Sequence, residues 1–443
     1  MKHQTCPVAP VSVEELLSNA LQISPYEALG QLQQDAPVHQ VGNLPWYLVT
    51  RYDVCNRVLR DARNFSSEFR EFGGQLAAIG LAPSAAARAR MIEVGGDRGM
   101  MFEILLHRDP PAHSRQRRLI NHVLTARTSR WEGFIVAQVR RLIEKLEVEG
   151  EADFMEALAV PLPVAVIADI LGVGEDVVGS IKQWSDTSVK VAARLCSDED
   201  WIAAAAAMKA QSDFFEGELR ERLENPSDDL VGVLAEATRG APDPETGDQP
   251  MNFAEALEML ILLLIAGNET TTQLVGRVLL DLAKNDGLLE AVRNDPNLVP
   301  NVVEESVRLA SPVPTIMRFV KSDTEIDGFI IPGGSIVSVC FNQANRDAGQ
   351  YQCPHALDPH RDAVRRHLGF GAGIHTCPGA PLARLEARTV VREVSELFSG
   401  LELAGPDAVK YEMASMGVRG MTHLRLRYSR RLDVEAGDRP NGA

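Results

Sequence analysis

The chain has 443 residues, of which 45% are apolar, and 61 acidic side chains against 45 basic ones give a formal net charge of −16. Such a composition is globular rather than disordered and supplies enough apolar residues for a large buried core. The acidic surplus argues against nucleic acid as a partner, because a phosphate-binding surface needs basic residues. Cys6, Cys55, Cys196, Cys340, Cys353 and Cys377 have no framework spacing, so a reducing compartment is expected. The first residues, Met1 to Pro7, lack the apolar core of a signal peptide or anchor. The longest apolar run, Met259 to Ala266, falls far short of the roughly 20 residues that span a bilayer, so no membrane contact is expected.

Leu16, Leu17, Ala20 and Leu21 and, past Pro25, Leu29 and Leu32 predict helices from Val13 to Leu32, broken near Ser24-Pro25. Val38 to Val41 and Trp46 to Thr50, separated by Gly42-Asn43, predict a small hairpin, and Val54, Val58 and Leu59 mark one face of a following helix. Between Glu68 and Leu106 the pattern weakens around Gly73-Gly74, Pro83 and Gly95-Gly96. A stretch of that length is either a functional or mobile loop or a surface insertion. Asp109 is expected to cap a helix with Pro110 and Pro111 in its first turn, which sets His113 and Arg117 four apart on one face. Two such donors suit a pair of carboxylates or form a solvated basic face.

Asp153 through Pro161, Pro163, Ile167 and Leu171 to Gly172 predicts a core helix ended by glycine. Helical segments continue through Trp201 to Leu223, and Arg239 to Pro250 is a loop. Asn252 to Ala283 is an unbroken helical pattern, about 48 Å long at 1.5 Å per residue. Its middle is apolar on every side, so it runs through the interior. Ala266-Gly267-Asn268-Glu269-Thr270-Thr271 interrupts it with poor helix formers and a buried acid, which marks a functional site or a packing kink. Glu305 and Arg308, three apart, share a helix face and form an ion pair. After Ser311-Pro312, the alternation from Ile330 to Val339 around Pro332-Gly333-Gly334 predicts strands.

The stretch from His367 to Arg388 is the most informative. Gly371, Gly373 and Gly379 flank Cys377 and allow positive φ and close approach of a flat ligand. Pro381 suits a first helical turn, and Ala383, Ala387, Val390, Val391, Val394 and Leu397 recur at helical spacing. Cys377 is thereby placed at a helix N-terminus, where its pKa is expected to fall. Such a thiolate can be a nucleophile, a metal ligand or a haem ligand. Cys353, His355, His360, His367, His375 and Cys377 raise a zinc site, although the spacing lacks the paired cysteines of a zinc clip.

Phe370-Gly371-Ala372-Gly373-Ile374-His375-Thr376-Cys377-Pro378-Gly379 resembles the cysteine-loop signature of the cytochrome P-450 family. The resemblance implies a mainly α fold with a small β region (α+β), with haem between a long central helix and the cysteine loop. It implies heme b as cofactor, Cys377 as the iron ligand, and Phe370, Gly371 and Gly379 around it. His113, Arg117, Arg318 and His375 are then assigned to the haem propionates. Arg115 and Arg118 are left to solvent or an acidic redox partner. Ala266 to Thr271 resembles the family's oxygen-activation motif, where the helix distorts. There Gly267 leaves room for O2, Thr270 contacts the bound oxygen and Glu269 relays protons.

By the same resemblance Glu305 and Arg308 form a structural lock with Arg361, although Leu357 stands where Phe is more usual. Phe65-Ser66-Ser67 is similar to the run that ends the preceding helix, and the stretch from Glu68 to Leu106 covers a wall of the substrate pocket. Leu262, Leu263, Ala266, Val313, Thr315, Ile316, Met416 and Val418 line that pocket. One domain over residues 13–428, with tails at 1–12 and 429–443, is expected to be a monomer in the cytoplasm, like the soluble bacterial branch. The implied activity is monooxygenation of an apolar small molecule with electrons from a separate ferredoxin and ferredoxin reductase. A peroxygenase using H2O2 and a haem-based sensor are the alternatives, and the Glu269-Thr270 pair argues against both.

Overall fold

The computed structural model describes residues 12, 26–68, 74, 76, 82–95, 105–121, 124, 128–191, 197–242, 249–415 and 418–431. Helix α1 (Tyr26–Asp35) leads into β1 (Val38–Gln40) and β2 (Trp46–Val49), which pair antiparallel as the hairpin expected from sequence. The expected break at Ser24-Pro25 lies outside the described residues. Helix α2 (Tyr52–Arg60) buries Val54, Cys55, Val58 and Leu59 on one face. It ends at Arg60, and Phe65–Ser66 forms the short strand β3 against a later strand rather than closing the helix, a correction to the sequence reading. Helix α3 (Ala85–Gly95) lies within the stretch whose pattern was weakest.

Helix α4 (Ala112–Ile120) begins after Pro111, and no side chain caps it. The expected Asp109 cap is not formed, because that carboxylate is taken by Ser66, Ser67 and Lys321. After α5 (Glu132–Glu144) and β4 (Glu149–Asp153), the predicted core helix divides into a π-helical turn, Met155–Ala159, and α6 (Pro161–Leu171). Pro161 suits the first turn of α6, and Gly172 ends it with φ 73°.

Helices α7 (Val178–Val191), α8 (Asp198–Glu224) and α9 (Leu230–Ala237) precede α10 (Phe253–Lys284), the 32-residue central helix. A reciprocal capping box starts α10: Asn252 Oδ1 accepts the Glu255 N–H and Glu255 Oε2 accepts the Asn252 N–H, both at 2.9 Å. Helix α10 runs without a break through Ala266 to Thr271, as the unbroken pattern from Asn252 to Ala283 predicts. Nineteen of its residues are buried, most in the main apolar core with side chains of α5, α6 and the later helices α12 (Val299–Leu309) and α14 (Ala380–Leu397). Gly276 permits this packing, because a Cβ there would stand 2.5 Å from Met155 Sδ.

Between α10 and α14 come α11 (Leu288–Asn294), α12, β5 (Thr315–Val320), β6 (Thr324–Ile326), β7 (Phe329–Ile331), β8 (Ile336–Cys340) and α13 (Phe341–Ala344). The chain closes with β9 (Phe398–Leu403), β10 (Val409–Ser415) and β11 (Val418–Arg430). One sheet has the order β1-β2-β8-β5-β3, with β2 and β8 parallel; β11 pairs with β10, β4 and β9; and β6 pairs with β7. The fold is therefore mainly helical with small sheets, as expected. No described helix is long and apolar enough to cross a membrane.

Candidate active site

The middle of α10 has one accessible stripe in an otherwise buried helix. Ala266 is exposed and Leu262, Ile265, Gly267, Glu269 and Thr270 are partly so, whereas Leu264, Asn268, Thr271 and Thr272 are buried. Helical spacing places Leu262, Ala266, Glu269 and Thr270 on one face. Leu263 departs from the expected pocket, being only 8% exposed within the main core, and Ile265 takes a place on the stripe that the sequence reading missed. Nothing in the protein forbids a side chain at Gly267, whose Cβ would meet Ile167 Cδ1 at an ordinary 3.6 Å. Thr270 Oγ1 donates to the Ala266 carbonyl at 2.7 Å, which leaves its lone pairs as acceptors. Glu269 Oε1 accepts Gln273 Nε2 at 2.9 Å.

In the cysteine loop, Gly371 and Gly373 have φ of 72° and 70°, whereas Gly379 has an ordinary φ of −81°. The positive-φ expectation therefore fails at Gly379. Gly373 is required for packing, since a Cβ would lie 2.6 Å from the Leu59 carbonyl oxygen at the end of α2. The Cys377 N–H donates to the Phe370 carbonyl at 2.8 Å and closes the loop on itself. Helix α14 starts at Ala380, three residues beyond the cysteine. Burial pushes the Cys377 thiol up, outweighing the N–H groups of Gly379 and Ala380 and the guanidiniums of Arg117 and Arg384. Desolvation thus opposes the expected fall in its pKa. Metal coordination deprotonates a thiol outright, which is the contribution an iron would make here.

Beside this loop the donors assigned to propionates gather. The rings of His113 and His375 lie 4.3 Å apart, and Arg117 Nη1 donates to the Thr376 carbonyl. Arg318, on β5, is 3% exposed and donates to the Met317 carbonyl, and burial lowers its pKa to about 10. Burial, Arg318 and His113 together push His375 down to about 3. Asp109 is the acid among them, and its oxygens receive Ser66 Oγ at 2.8 Å, the Ser67 N–H at 3.0 Å and Lys321 Nζ at 2.7 Å. Neither ring nitrogen of the buried His113 has a partner among the described residues. Asp109 is held by Lys321, which leaves the Arg117 and Arg318 guanidiniums and the unpartnered His113 without a carboxylate of their own among the described residues, so the cluster fits the two propionate carboxylates of a haem. The zinc alternative gains no support, as no three His, Cys, Asp or Glu side chains converge for a metal ion among the described residues.

Helix α12 carries two buried carboxylates. Glu305 receives Arg308 Nε at 2.5 Å and Nη2 at 2.9 Å, Arg361 Nε at 3.0 Å and the Asp358 N–H at 2.9 Å. Arg308 also donates to the carbonyls of Asn345, Pro354 and Ala356. Sequence reasoning missed the neighbouring Glu304, which binds Arg384 at 2.7 and 2.9 Å and His367 at 3.0 Å. Burial raises the Glu304 pKa, but His367 and Arg384 overcome it and hold the carboxyl at about 2. The Arg384 guanidinium also lies 4.4 Å from the centre of the Phe370 ring and so ties α12 to the cysteine loop. The spacing of Arg384 and Arg388 on one face of α14 was the available signal.

Val313, Thr315 and Ile316, before and at the start of β5, are partly exposed, in keeping with a pocket wall. Met416 lies outside the described residues, as does the side chain of Val418.

Comparison with known proteins bears on the whole arrangement. The sequence model of the Cytochrome P450 family matches residues 180–401. The chain is 32% identical to 6-deoxyerythronolide B hydroxylase of Saccharopolyspora erythraea, over 94% of this chain and 99% of that protein. It is 33% identical to a steroid C26-monooxygenase of Mycobacterium tuberculosis, over 69% of this chain and 80% of that protein. The structure superimposes with a TM-score of 0.76 on CYP109E1 from Bacillus megaterium in complex with corticosterone, at 28% identity, covering 92% of this chain and 99% of that one. A cysteine loop facing donors for two carboxylates, a central helix with an accessible acid-alcohol stripe and this likeness over most of the chain agree: the protein belongs to the cytochrome P450 family of haem-dependent monooxygenases.

Proposed function

We propose that the protein, as one domain over residues 13–428, inserts one atom of O2 into an apolar alicyclic molecule of the polyketide-macrolide or steroid class. Two electrons and two protons reduce the other atom to water. The observation that carries this reading is the acid-alcohol pair Glu269-Thr270 on the accessible stripe of α10, whose apolar members Leu262, Ile265 and Ala266 suit such a substrate. The relatives named for polyketide biosynthesis, for 6-deoxyerythronolide B and for a steroid support the substrate class. Heme b held through Cys377 supplies O2 binding and redox chemistry when bound.

The chain's own groups divide the remaining work. His113, Arg117, Arg318 and His375 orient the cofactor through its carboxylates, and Gly267, without a side chain, leaves room for O2 beside the stripe. Thr270, its proton committed to the Ala266 carbonyl, accepts a hydrogen bond at the open face and keeps a water there in register. Glu269 exchanges protons with solvent and passes them inward. Electrons come from a separate ferredoxin and its reductase in the cytoplasm. The test is turnover on a panel of macrolides and steroids with NAD(P)H and surrogate ferredoxin and reductase, in parallel with H2O2 alone. The expected result is product with one atom from 18O2 only in the first arm. Product from H2O2 alone at an equal rate would establish the peroxygenase instead.

A further inference from the structure

Gln273 lies one turn beyond Glu269 on α10, is 7% exposed, and spans two elements with its amide. Oε1 accepts the backbone N–H of Met421 at 2.6 Å, while Nε2 donates to Glu269 Oε1 at 2.9 Å and to the Met421 carbonyl at 3.4 Å. The amide orientation is determined by these partners. A flipped amide would set its NH2 against the Met421 N–H and its oxygen against the Glu269 carboxylate.

Met421 is available because the β10–β11 ladder slips at this point. Lys410 pairs with His423 and Tyr411 with Met421, so Thr422 is left over. Irregularities of this kind re-aim backbone groups beside sites. One turn further along α10, a Cβ on Gly276 would stand 3.8 Å from Met421 Sδ, so helix and strand approach closely here. A helix-strand clamp would need only the two Met421 contacts. The third contact, to Glu269, goes beyond that requirement.

We propose that Gln273 is a positioning residue for Glu269: its carbonyl anchors α10 to the irregular turn of β11, and its N–H holds the carboxylate at the accessible stripe. The carboxylate and the β10–β11 hairpin then move as a unit. This rests on the reading of Glu269 given above, and three variants separate the two. Gln273→Glu keeps an acceptor for the Met421 N–H and loses the donor to Glu269; Gln273→Leu loses both; Glu269→Gln removes the acid.

Each variant, as the haem-loaded full chain, is assayed for hydrogen exchange at the Met421 amide, substrate-induced spin shift, coupling of NAD(P)H to product, and solvent deuterium isotope effect. Gln273→Glu is expected to keep Met421 protection and substrate affinity. It should lose coupling by about tenfold with an enlarged isotope effect, less than the roughly hundredfold or more that a positioned acid itself contributes. Gln273→Leu should lose Met421 protection as well. Wild-type coupling in Gln273→Glu, with coupling lost in Glu269→Gln, would overturn the role of Gln273 alone. Wild-type coupling in Glu269→Gln would overturn the reading of Glu269 and this proposal with it.

Discussion

Helices α10 and α12 both carry polar groups through the interior, and they satisfy them in opposite ways. On α12 every Glu305 oxygen has donors, and Glu304 is enclosed by Arg384, Arg388 and His367. On α10 the buried Asn268 has no partner for either amide atom among the described residues, nor does the Thr272 hydroxyl, and Thr270 bonds only its own helix. A fully paired buried cluster fixes one arrangement of the chain, whereas unpaired groups cost stability wherever they persist. The first suits a support beneath the cysteine loop; on α10 it is Thr270, on the accessible stripe with its acceptor lone pairs open, that suits a surface whose partners are small molecules.

This contrast can be broken from the α12 side most drastically. Glu305→Ala leaves Arg308 charged, buried and short of its carboxylate, and is expected to cost about 3–5 kcal/mol in denaturant melts. A loss below 1 kcal/mol would mean that the three carbonyl partners suffice.

Glu386 on α14 offers a sharper test, because burial raises its pKa from 4.5 to about 8 and Oε2 has no partner. A raised carboxyl pKa means no penalty below the unfolded value and a growing one as pH rises from 4.5 through about 8. Glu386→Gln should therefore gain stability relative to wild type across that window, by roughly 1–3 kcal/mol at its upper end. Parallel pH-melting curves would show that Glu386 is paired or hydrated.

Thr272→Val removes an unpartnered hydroxyl at constant shape and is expected to stabilise by up to about 1 kcal/mol, read as a rise in Tm. Destabilisation would reveal a buried water on that group. The smallest effect on stability, within about 0.5 kcal/mol, is expected for Thr270→Ala, because its hydroxyl only bonds back to its own helix. That variant should nevertheless divert reducing equivalents to peroxide with haem and substrate binding intact. Unchanged coupling of NAD(P)H to product would remove Thr270 from the mechanism.

Local pattern made much of this legible. The central helix was readable as Asn252 to Ala283 and is Phe253–Lys284, because apolar periodicity and an Asn-Glu capping box are short-range signals. Glu305 and Arg308 were readable through their spacing, although only the structure shows that they are buried. Ala266 to Thr271 stays helical because packing on both flanks outweighs the weak propensities of Gly and Thr. Asp109 looked like a cap, but its partners Ser66, Ser67 and Lys321 are set by tertiary contact. Glu304 with His367 and Arg384, and Gln273 with Met421, join residues far apart in sequence, where no periodicity reports them. The helix-end argument for Cys377 is likewise local, whereas the opposing desolvation depends on everything packed around the thiol.

The account rests on Cys377 as the ligand of a haem, and the absorption spectrum of the purified, dithionite-reduced protein under carbon monoxide tests it most directly. A strongly red-shifted Soret band, lost in Cys377→His while haem is retained, is the predicted result. A histidine-type carbonyl spectrum in the unaltered protein would contradict it.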